Sequence, residues 1–290
     1  MHPVKRRGVY FKPCTMRKLL MTATMVVAAY SLQAQLINSN TFGMMEARQL
    51  GPGTMSGRIS AIEGVNNDPR IVYVGTAGGG VWKTTNGGTT YQPIFDGYGT
   101  QSIGCLALDP KNPNILWVGT GENNNQRSVG YGNGIYRSLD GGKTFENMGL
   151  KLSEHIGMIK IDPSNSNRIW VAVYGPVWKE GGERGLYLTE DGGKTWVRNF
   201  HVSDNTGCNE IYLDPNMPGA MYAAFHQRRR HEWTYLGGGP ESALYKSTDN
   251  GKTWRKLAGG LPSGELGRIT IGVSALKAGL VYAMVEAEEG

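Results

Sequence analysis

The sequence contains few cysteines and no pattern of metal ligands. Cysteine occurs only at positions 14, 105 and 208 of the 290 residues, and no Cys/His cluster has the spacing of a zinc site. A zinc-stabilised domain and a disulfide-rich scaffold are therefore both excluded. We predict neither a metal nor a cofactor for this chain.

The formal net charge of +6 comes entirely from the first 34 residues. That segment holds six of the 30 basic residues and none of the 24 acidic ones, so its removal leaves 24 residues of each sign. A neutral remainder has no general electrostatic attraction for nucleic acid. We expect no nucleic-acid partner.

Residues 1–34 have the pattern of a leader. A basic pair, Arg17 and Lys18, precedes the apolar run 19–30, which is too short to span a bilayer, and small residues follow at 31–34. We interpret residues 1–15 as an upstream extension and 16–34 as a secretory signal peptide. The predicted protein is exported, to the periplasm, the cell surface or the medium, with no transmembrane helix in its mature part.

An eight-residue pattern occurs four times after the leader. The copies are residues 84–91 (TTNGGTTY), 138–145 (SLDGGKTF), 189–196 (TEDGGKTW) and 247–254 (STDNGKTW), at steps of 54, 51 and 58 residues. In three copies an Asp can accept backbone N–H groups just beyond it, and Gly supplies the positive φ that closes a turn. The closing aromatic can pack between neighbouring sheets. We assign structural roles to Asn86, Asp140, Asp191, Asp249, Trp196 and Trp254.

The spacing of the repeats equals one four-stranded propeller blade with its loops. Short β-rich runs bounded by Pro, Asn and Gly surround each copy, and they predict strands A and B, a strand C that leads into the repeat, and a strand D after it. The predicted fold is an all-β propeller. We expect a lead-in segment at 35–57 and about four and a half blades at 58–290, with further chain completing the propeller. Cys105 and Cys208 begin similar strands of non-adjacent blades, so two buried free thiols are favoured over a disulfide.

The repeat resembles the Asp-box, or BNR, repeat of sialidases, xyloglucanase-type glycoside hydrolases and sortilin/Vps10 propellers. The closer likeness is to exported proteins with a sortilin/Vps10-like propeller. It is carried by residues 119–122 (GTGE), 184–187 (RGLY), 260–262 (GLP) and 267–269 (GRI). This resemblance implies the binding of a peptide, protein or glycan ligand without catalysis.

The B–C loops, which join strands B and C of each blade, are the predicted binding face because loops on a rigid scaffold often carry function. Three of them combine aromatic and charged residues. The candidate ligand-binding residues are Glu122, Arg127, Trp178, Arg184, His226, Arg228, Arg229 and Trp233. The alternative for each residue is a solvated charge or a salt bridge between blades.

A glycoside hydrolase is the alternative function. Such enzymes need two carboxylates across a cleft, and the sequence offers Glu122, Glu154, Asp204, Glu210 and Glu241 without fixing a pair. The resemblance to xyloglucanases implies a catalytic Asp in the first B–C loop, where this chain has Ala77. We therefore assign no catalytic residue, and a hydrolase would depend on carboxylates supplied by another part of the protein.

Overall fold

The computed structural model describes residues 58–124 and 129–288. Every regular element in these residues is a β-strand, as predicted, and all of the sheets are antiparallel. The expectations for residues 1–57 lie outside the described residues. No helix that could cross a membrane occurs in the described part of the chain.

Four sheets have four strands each, hydrogen-bonded in chain order, and correspond to the predicted blades. The first blade consists of β1 (Ile59–Val65), β2 (Asp68–Thr76), β3 (Val81–Thr84) and β4 (Gln92–Pro93). The second consists of β5 (Ile103–Leu108), β6 (Leu116–Thr120), β7 (Ile135–Ser138) and β8 (Glu146–Asn147). The third consists of β9 (Ile156–Asp162), β10 (Asn165–Val173), β11 (Gly185–Thr189) and β12 (Val197–Phe200).

The fourth blade carries an insertion that the sequence pattern did not predict. Its strands are β13 (Thr206–Leu213), β14 (Met221–Gln227), β17 (Ala243–Ser247) and β18 (Arg255–Leu257). The B–C loop between β14 and β17 contains a small hairpin, β15 (Arg229–Arg230) and β16 (Tyr235–Leu236). A final pair, β19 (Leu266–Val273) and β20 (Val281–Ala287), supplies strands A and B of a fifth blade.

Strand B of each complete blade is mostly apolar because it is covered on both sides. All five residues of β6 are buried, as are six of the seven in β14, and continuous apolar runs are typical of such strands. Clusters of apolar side chains fill the spaces between consecutive blades. The second and third blades meet around Trp117, Ile159 and Val171. Cys105 and Cys208 are buried free thiols in separate clusters, as predicted.

Each Asp-box turn, defined as the eight residues of one repeat, is closed by its Asp or Asn side chain. Asp140 Oδ1 accepts hydrogen bonds from Ser138 Oγ at 2.8 Å and Thr144 N at 2.9 Å, and Oδ2 accepts one from Thr144 Oγ1 at 2.6 Å. The hydrogen bonds from Thr144 are the main reason why the pKa of Asp140 lies well below its usual value. Asn86 Oδ1 accepts the corresponding amide hydrogen bond, from Thr90 N, at 3.0 Å.

The aromatic residue that ends a turn lies against the preceding blade. Trp196 of the third blade meets Trp117 of the second edge to face, with ring centroids 6.4 Å apart, and its Nε1 donates to the Met148 carbonyl at 2.7 Å. Gly193 has a φ of +89°, and a Cβ there would lie 2.7 Å from the Trp117 ring. The second glycine of this turn is thus required by both conformation and space.

The loops are divided between two faces. On one face, each Asp-box turn hydrogen-bonds to the A–B turn of its own blade or to the first residues of its strand B, for example from Gly141 N to Asn114 O at 2.9 Å. On the other face, the B–C loops contact the D–A loops that join consecutive blades, for example from Gly132 N to Glu154 O at 2.7 Å. The predicted binding loops therefore share one face.

Candidate functional site

The B–C loop face contains both buried and exposed members of the predicted binding set. Arg127 lies outside the described residues. Glu122, Arg184, His226 and Arg228 are almost completely buried. The burial separates them from Trp178, Arg229 and Trp233, which have solvent access.

Glu122 links the first two blades. Its carboxylate receives two hydrogen bonds of 2.7 Å from the Arg58 guanidinium and one of 2.8 Å from Asn124 Nδ2. Burial raises the pKa of the Glu122 carboxyl, but the hydrogen bonds from Arg58 and Asn124 outweigh it, and the net pKa is below normal. The geometry is that of a fixed carboxylate with its acceptor sites occupied.

Arg184 organises the B–C loop of the third blade. Its guanidinium donates to the carbonyls of Gly181 and Tyr174 at 3.0 Å and of Lys179 at 2.8 Å, and also to that of Pro176. A loop outside the sheet has no ladder partners for its carbonyls, and one guanidinium supplies five N–H donors. Burial lowers the pKa of Arg184 to about 10. This value is still far above neutral pH, so the guanidinium stays charged and holds the loop carbonyls in place.

His226 and Arg228 share a network with Tyr174. The Tyr174 hydroxyl and His226 Nδ1 are 2.5 Å apart, and His226 Nε2 lies 2.8 Å from the Gly237 carbonyl. The carbonyl requires the proton on Nε2, so Nδ1 accepts from the tyrosine. Burial is the main cause that lowers the pKa of His226 to about 4. The Arg228 guanidinium lies over the Tyr174 and Tyr235 rings, 5.5 and 5.6 Å from their centroids.

Two arginines bring this network into contact with the second blade's loop. Arg228 Nη1 donates to the Asn124 carbonyl at 3.2 Å, and Arg268 Nη1 donates to the Asn123 carbonyl at 2.6 Å. His155 is buried nearby, and neither ring nitrogen has a partner with hydrogen-bond geometry among the described residues. Burial, then the charge of Arg228, lower its pKa to about 4, although the backbone of Glu122 is near enough to raise it slightly.

His155 and Arg268 were not among the sequence-based candidates. Arg268 lies in a strand and His155 in a D–A loop, whereas only the B–C loops were selected for function. Arg268 stood in the GRI segment used for the family resemblance, but nothing local indicates its contact with Asn123, 145 residues away. Only the packing of the blades brings these residues together.

The exposed part of the face is aromatic. Trp233 at the tip of the inserted hairpin is 81% exposed, and its ring stacks on His231 with centroids 5.2 Å apart and planes inclined by 15°. Trp178 on the neighbouring loop is 48% exposed. A hydrogen bond of 2.8 Å from Arg230 N to Val177 O joins the two loops. Arg229 is held beside them by Asn205, whose Oδ1 accepts from Nη2 at 2.5 Å.

The five candidate carboxylates all have protein partners. Besides Glu122, Glu154 is paired with Lys179 at 3.0 Å, and Asp204 Oδ1 lies 3.3 Å from His201 Nε2. Glu210 accepts from Ile271 N at 2.9 Å, and Glu241 accepts from Ser203 and Thr206 hydroxyls. In residues 58–124 and 129–288, no three His, Cys, Asp or Glu side chains are grouped to hold a metal ion.

The Ala77 position offers no carboxylate. Ala77 is buried, and its amide donates to the Arg58 carbonyl at 2.8 Å. This backbone contact closes the end of the first blade next to the Glu122 ion pair. The position implied by the xyloglucanase resemblance is therefore occupied by a packed methyl group.

Comparison with known proteins agrees with the architecture. The model of the Sortilin-Vps10 family (sortilin, neurotensin receptor 3) matches residues 133–267. A probable oligoxyloglucan-reducing end-specific xyloglucanase of Neosartorya fischeri is 24% identical over 71% of this chain and 24% of its own. Xyloglucanase Xgh74A of Acetivibrio thermocellus is 26% identical over 71% of this chain and 26% of its own.

Solved structures give the same result for the fold. An ancestral GH74 enzyme matches with a TM-score of 0.58 and 20% identity over 74% of this chain and 27% of its own. The GH74 enzyme of Niastella koreensis matches with a TM-score of 0.52 and 19% identity over 68% and 30% of the two chains. The chain spans about a quarter of the length of the curated relatives it matches. The chain has a β-propeller fold and is similar in sequence to the sortilin/Vps10 family and to xyloglucanases.

Proposed function

We propose that the B–C loop face binds a glycan through its exposed aromatic side chains, without catalysis by the residues present. The observation that carries this proposal is the exposed Trp233 ring, which is stacked on His231 and so held in place although most of its surface is open. Planar aromatic rings with a polar edge are suited to the apolar faces of sugar rings. The similarity to xyloglucanases favours a glycan over a peptide.

The buried charged residues stabilise the loops, and the exposed residues are left to contact the ligand. Arg184 is saturated by loop carbonyls, and Glu122 by Arg58 and Asn124. These side chains stiffen the loops, whereas Trp178, Arg229 and Trp233 reach the solvent. A rigid loop loses less conformational entropy when it binds.

The test is titration of the full chain with xyloglucan oligosaccharides by calorimetry. Trp233→Ala is expected to weaken binding by about 30-fold or more, the size of a hot-spot residue. Lys111→Ala on the opposite face is the control and should leave affinity unchanged. If both variants bind like the parent protein, or xyloglucan oligosaccharides do not bind at all, the proposal fails.

A glycoside hydrolase remains the second candidate because the similar proteins are named xyloglucanases. A reducing-sugar assay on the same oligosaccharides separates the two functions. Binding without release of reducing ends supports the binding module. Release of reducing ends by the full chain would support the enzyme instead.

We further propose that the protein is exported after cleavage near Gln35. The basic and apolar pattern of residues 16–34 supports this proposal. N-terminal sequencing of protein recovered outside the cytoplasm should give a start near Gln35. Uncleaved protein retained in the cytoplasm would contradict it.

A further inference from the structure

A cavity of about 540 Å³ lies on the face opposite the B–C loops. Its lining includes one proline from the A–B turn of each of three consecutive blades, namely Pro110, Pro163 and Pro215. Strands A of the first four blades also line it, and three of them contribute Glu63, Lys160 and Tyr212. The volume is typical of a small-molecule site, as are mostly apolar walls with a few convergent polar groups.

Five charged side chains line the cavity, namely Glu63, Lys160, Asp162, Arg168 and Asp214. Arg168 pairs with Asp162 at 3.5 Å, and Asp214 accepts hydrogen bonds from the backbone N–H groups of Asn216 and Gly279 at 2.9 Å. The other two, Glu63 and Lys160, are not paired with each other. Lys160 is partly buried, and its Nζ lies over the Tyr212 ring, 4.6 Å from the centroid. Glu63 is also partly buried. Neither forms an ion pair with a described residue. Glu63 and Lys160 are thus the two charges of the cavity lining that have neither an ion pair nor a hydrogen bond with a described residue.

The electrostatics of the wall show that the two charges share one environment. Burial raises the pKa of Glu63, and the positive charge of Lys160 partly offsets that rise. Burying a charge without a counter-ion costs free energy. A ligand that pairs with only one of the two residues leaves the other charge without a counter-ion. A ligand anion would be repelled by Glu63, and a ligand cation would be repelled by Lys160.

We propose that this cavity binds a free α-amino acid with an apolar side chain. The ligand's carboxylate would pair with Lys160, its ammonium with Glu63, and its side chain would lie against the proline rings. Only a zwitterion satisfies both charges, and charge-assisted hydrogen bonds are the strong polar contacts. This site goes beyond the proposed glycan-binding function and does not depend on it, since it uses other residues on the other face.

The first test compares three probes on the unmodified full chain. L-phenylalanine carries both charges, 3-phenylpropanoate lacks the amine, and phenethylamine lacks the carboxylate. Calorimetry or saturation-transfer NMR should show L-phenylalanine binding at least about tenfold more tightly than either analogue. Equal affinity for the three probes, or no binding of L-phenylalanine up to about 10 mM, would overturn the proposal.

The second test assigns each charge to its residue. Lys160→Met should remove the preference for L-phenylalanine over phenethylamine, and Glu63→Gln should remove its preference over 3-phenylpropanoate. Lys194→Met, at an exposed lysine of an Asp-box turn, is the matched control and should bind as the parent does. Lys160→Arg keeps the charge and should retain the preference. Variants that keep the full preference despite losing the charge would refute the assignment.

Discussion

Trp196 provides a direct measurement of how strongly an Asp-box turn holds two blades together. Its ring is partly buried in the cluster between the second and third blades and lies edge to face with Trp117 at 6.4 Å. Its indole N–H is bonded to the Met148 carbonyl at 2.7 Å. The residue therefore contributes through apolar packing, an aromatic pair and one hydrogen bond.

These contributions can be separated by two substitutions. Trp196→Ala removes all three and should lower the free energy of unfolding by about 3 to 5 kcal/mol, the range for large aromatic truncations. Trp196→Phe keeps most of the packing but removes the indole N–H, so it should cost about 1 to 2 kcal/mol, since the Met148 carbonyl loses its donor. Val197→Ala, at a neighbouring side chain that is 66% exposed, should change stability by less than about 0.5 kcal/mol.

Urea unfolding monitored by circular dichroism is the assay, with the denaturant m-value checked in each variant. The expected order of midpoints is parent and Val197→Ala, then Trp196→Phe, then Trp196→Ala. An alanine variant that unfolds like the parent would refute the packing argument. Equal losses for the Phe and Ala variants would show instead that the hydrogen bond to Met148 carries the effect.

Three further predictions concern charge. Asp140→Asn should fold with nearly parental stability, because Asn86 already closes the corresponding turn; a collapse in thermal unfolding would show that the negative charge itself is needed. Arg184→Met should lower the free energy of unfolding by about 3 kcal/mol or more, because several loop carbonyls lose their donor. Urea unfolding like that of the parent would show that Arg184 does not stabilise the loop. His226 has a folded pKa of about 4 against about 6.5 unfolded, so its stabilisation is present above pH 6.5 and lost towards pH 4. His226→Gln should therefore reduce the slope of stability against pH near 5 by about one proton, and an unchanged slope would reject this.

The fold could be predicted because its signals are local and repeated. Each Asp-box turn is specified within eight residues by an Asp or Asn, a glycine with positive φ and a closing aromatic. Strands B are buried on both sides, so they occur in the sequence as apolar runs bounded by turn residues, which makes them recognisable. Four such copies at blade spacing leave little freedom in the topology, and the strand order in the four complete blades follows the prediction.

The candidate site could be predicted only in part. The sequence identifies which loops are rich in aromatic and charged residues, but it does not distinguish Arg184, which is buried, from Arg229, which has solvent access. That difference depends on whether neighbouring carbonyls turn inward, a property of the folded loop. The hairpin that carries Trp233 could not be predicted from the sequence either, because its paired strands have only two residues each.

The buried charges have a common physical origin in the length of the B–C loops. A long loop outside the sheet ladder leaves backbone carbonyls without partners, and buried carbonyls need donors. Arginine meets this need with several N–H groups in one plane, as Arg184 does within its own loop and Arg228 and Arg268 do for the carbonyls of Asn124 and Asn123. A charged residue in such a loop is therefore first explained by the fold, and it does not by itself indicate a ligand.

These arginines fix the loop backbone, so replacing them would shift Trp178 and Trp233 indirectly. A loss of affinity in those variants would not identify a ligand contact. Only substitutions at exposed side chains test the binding face itself.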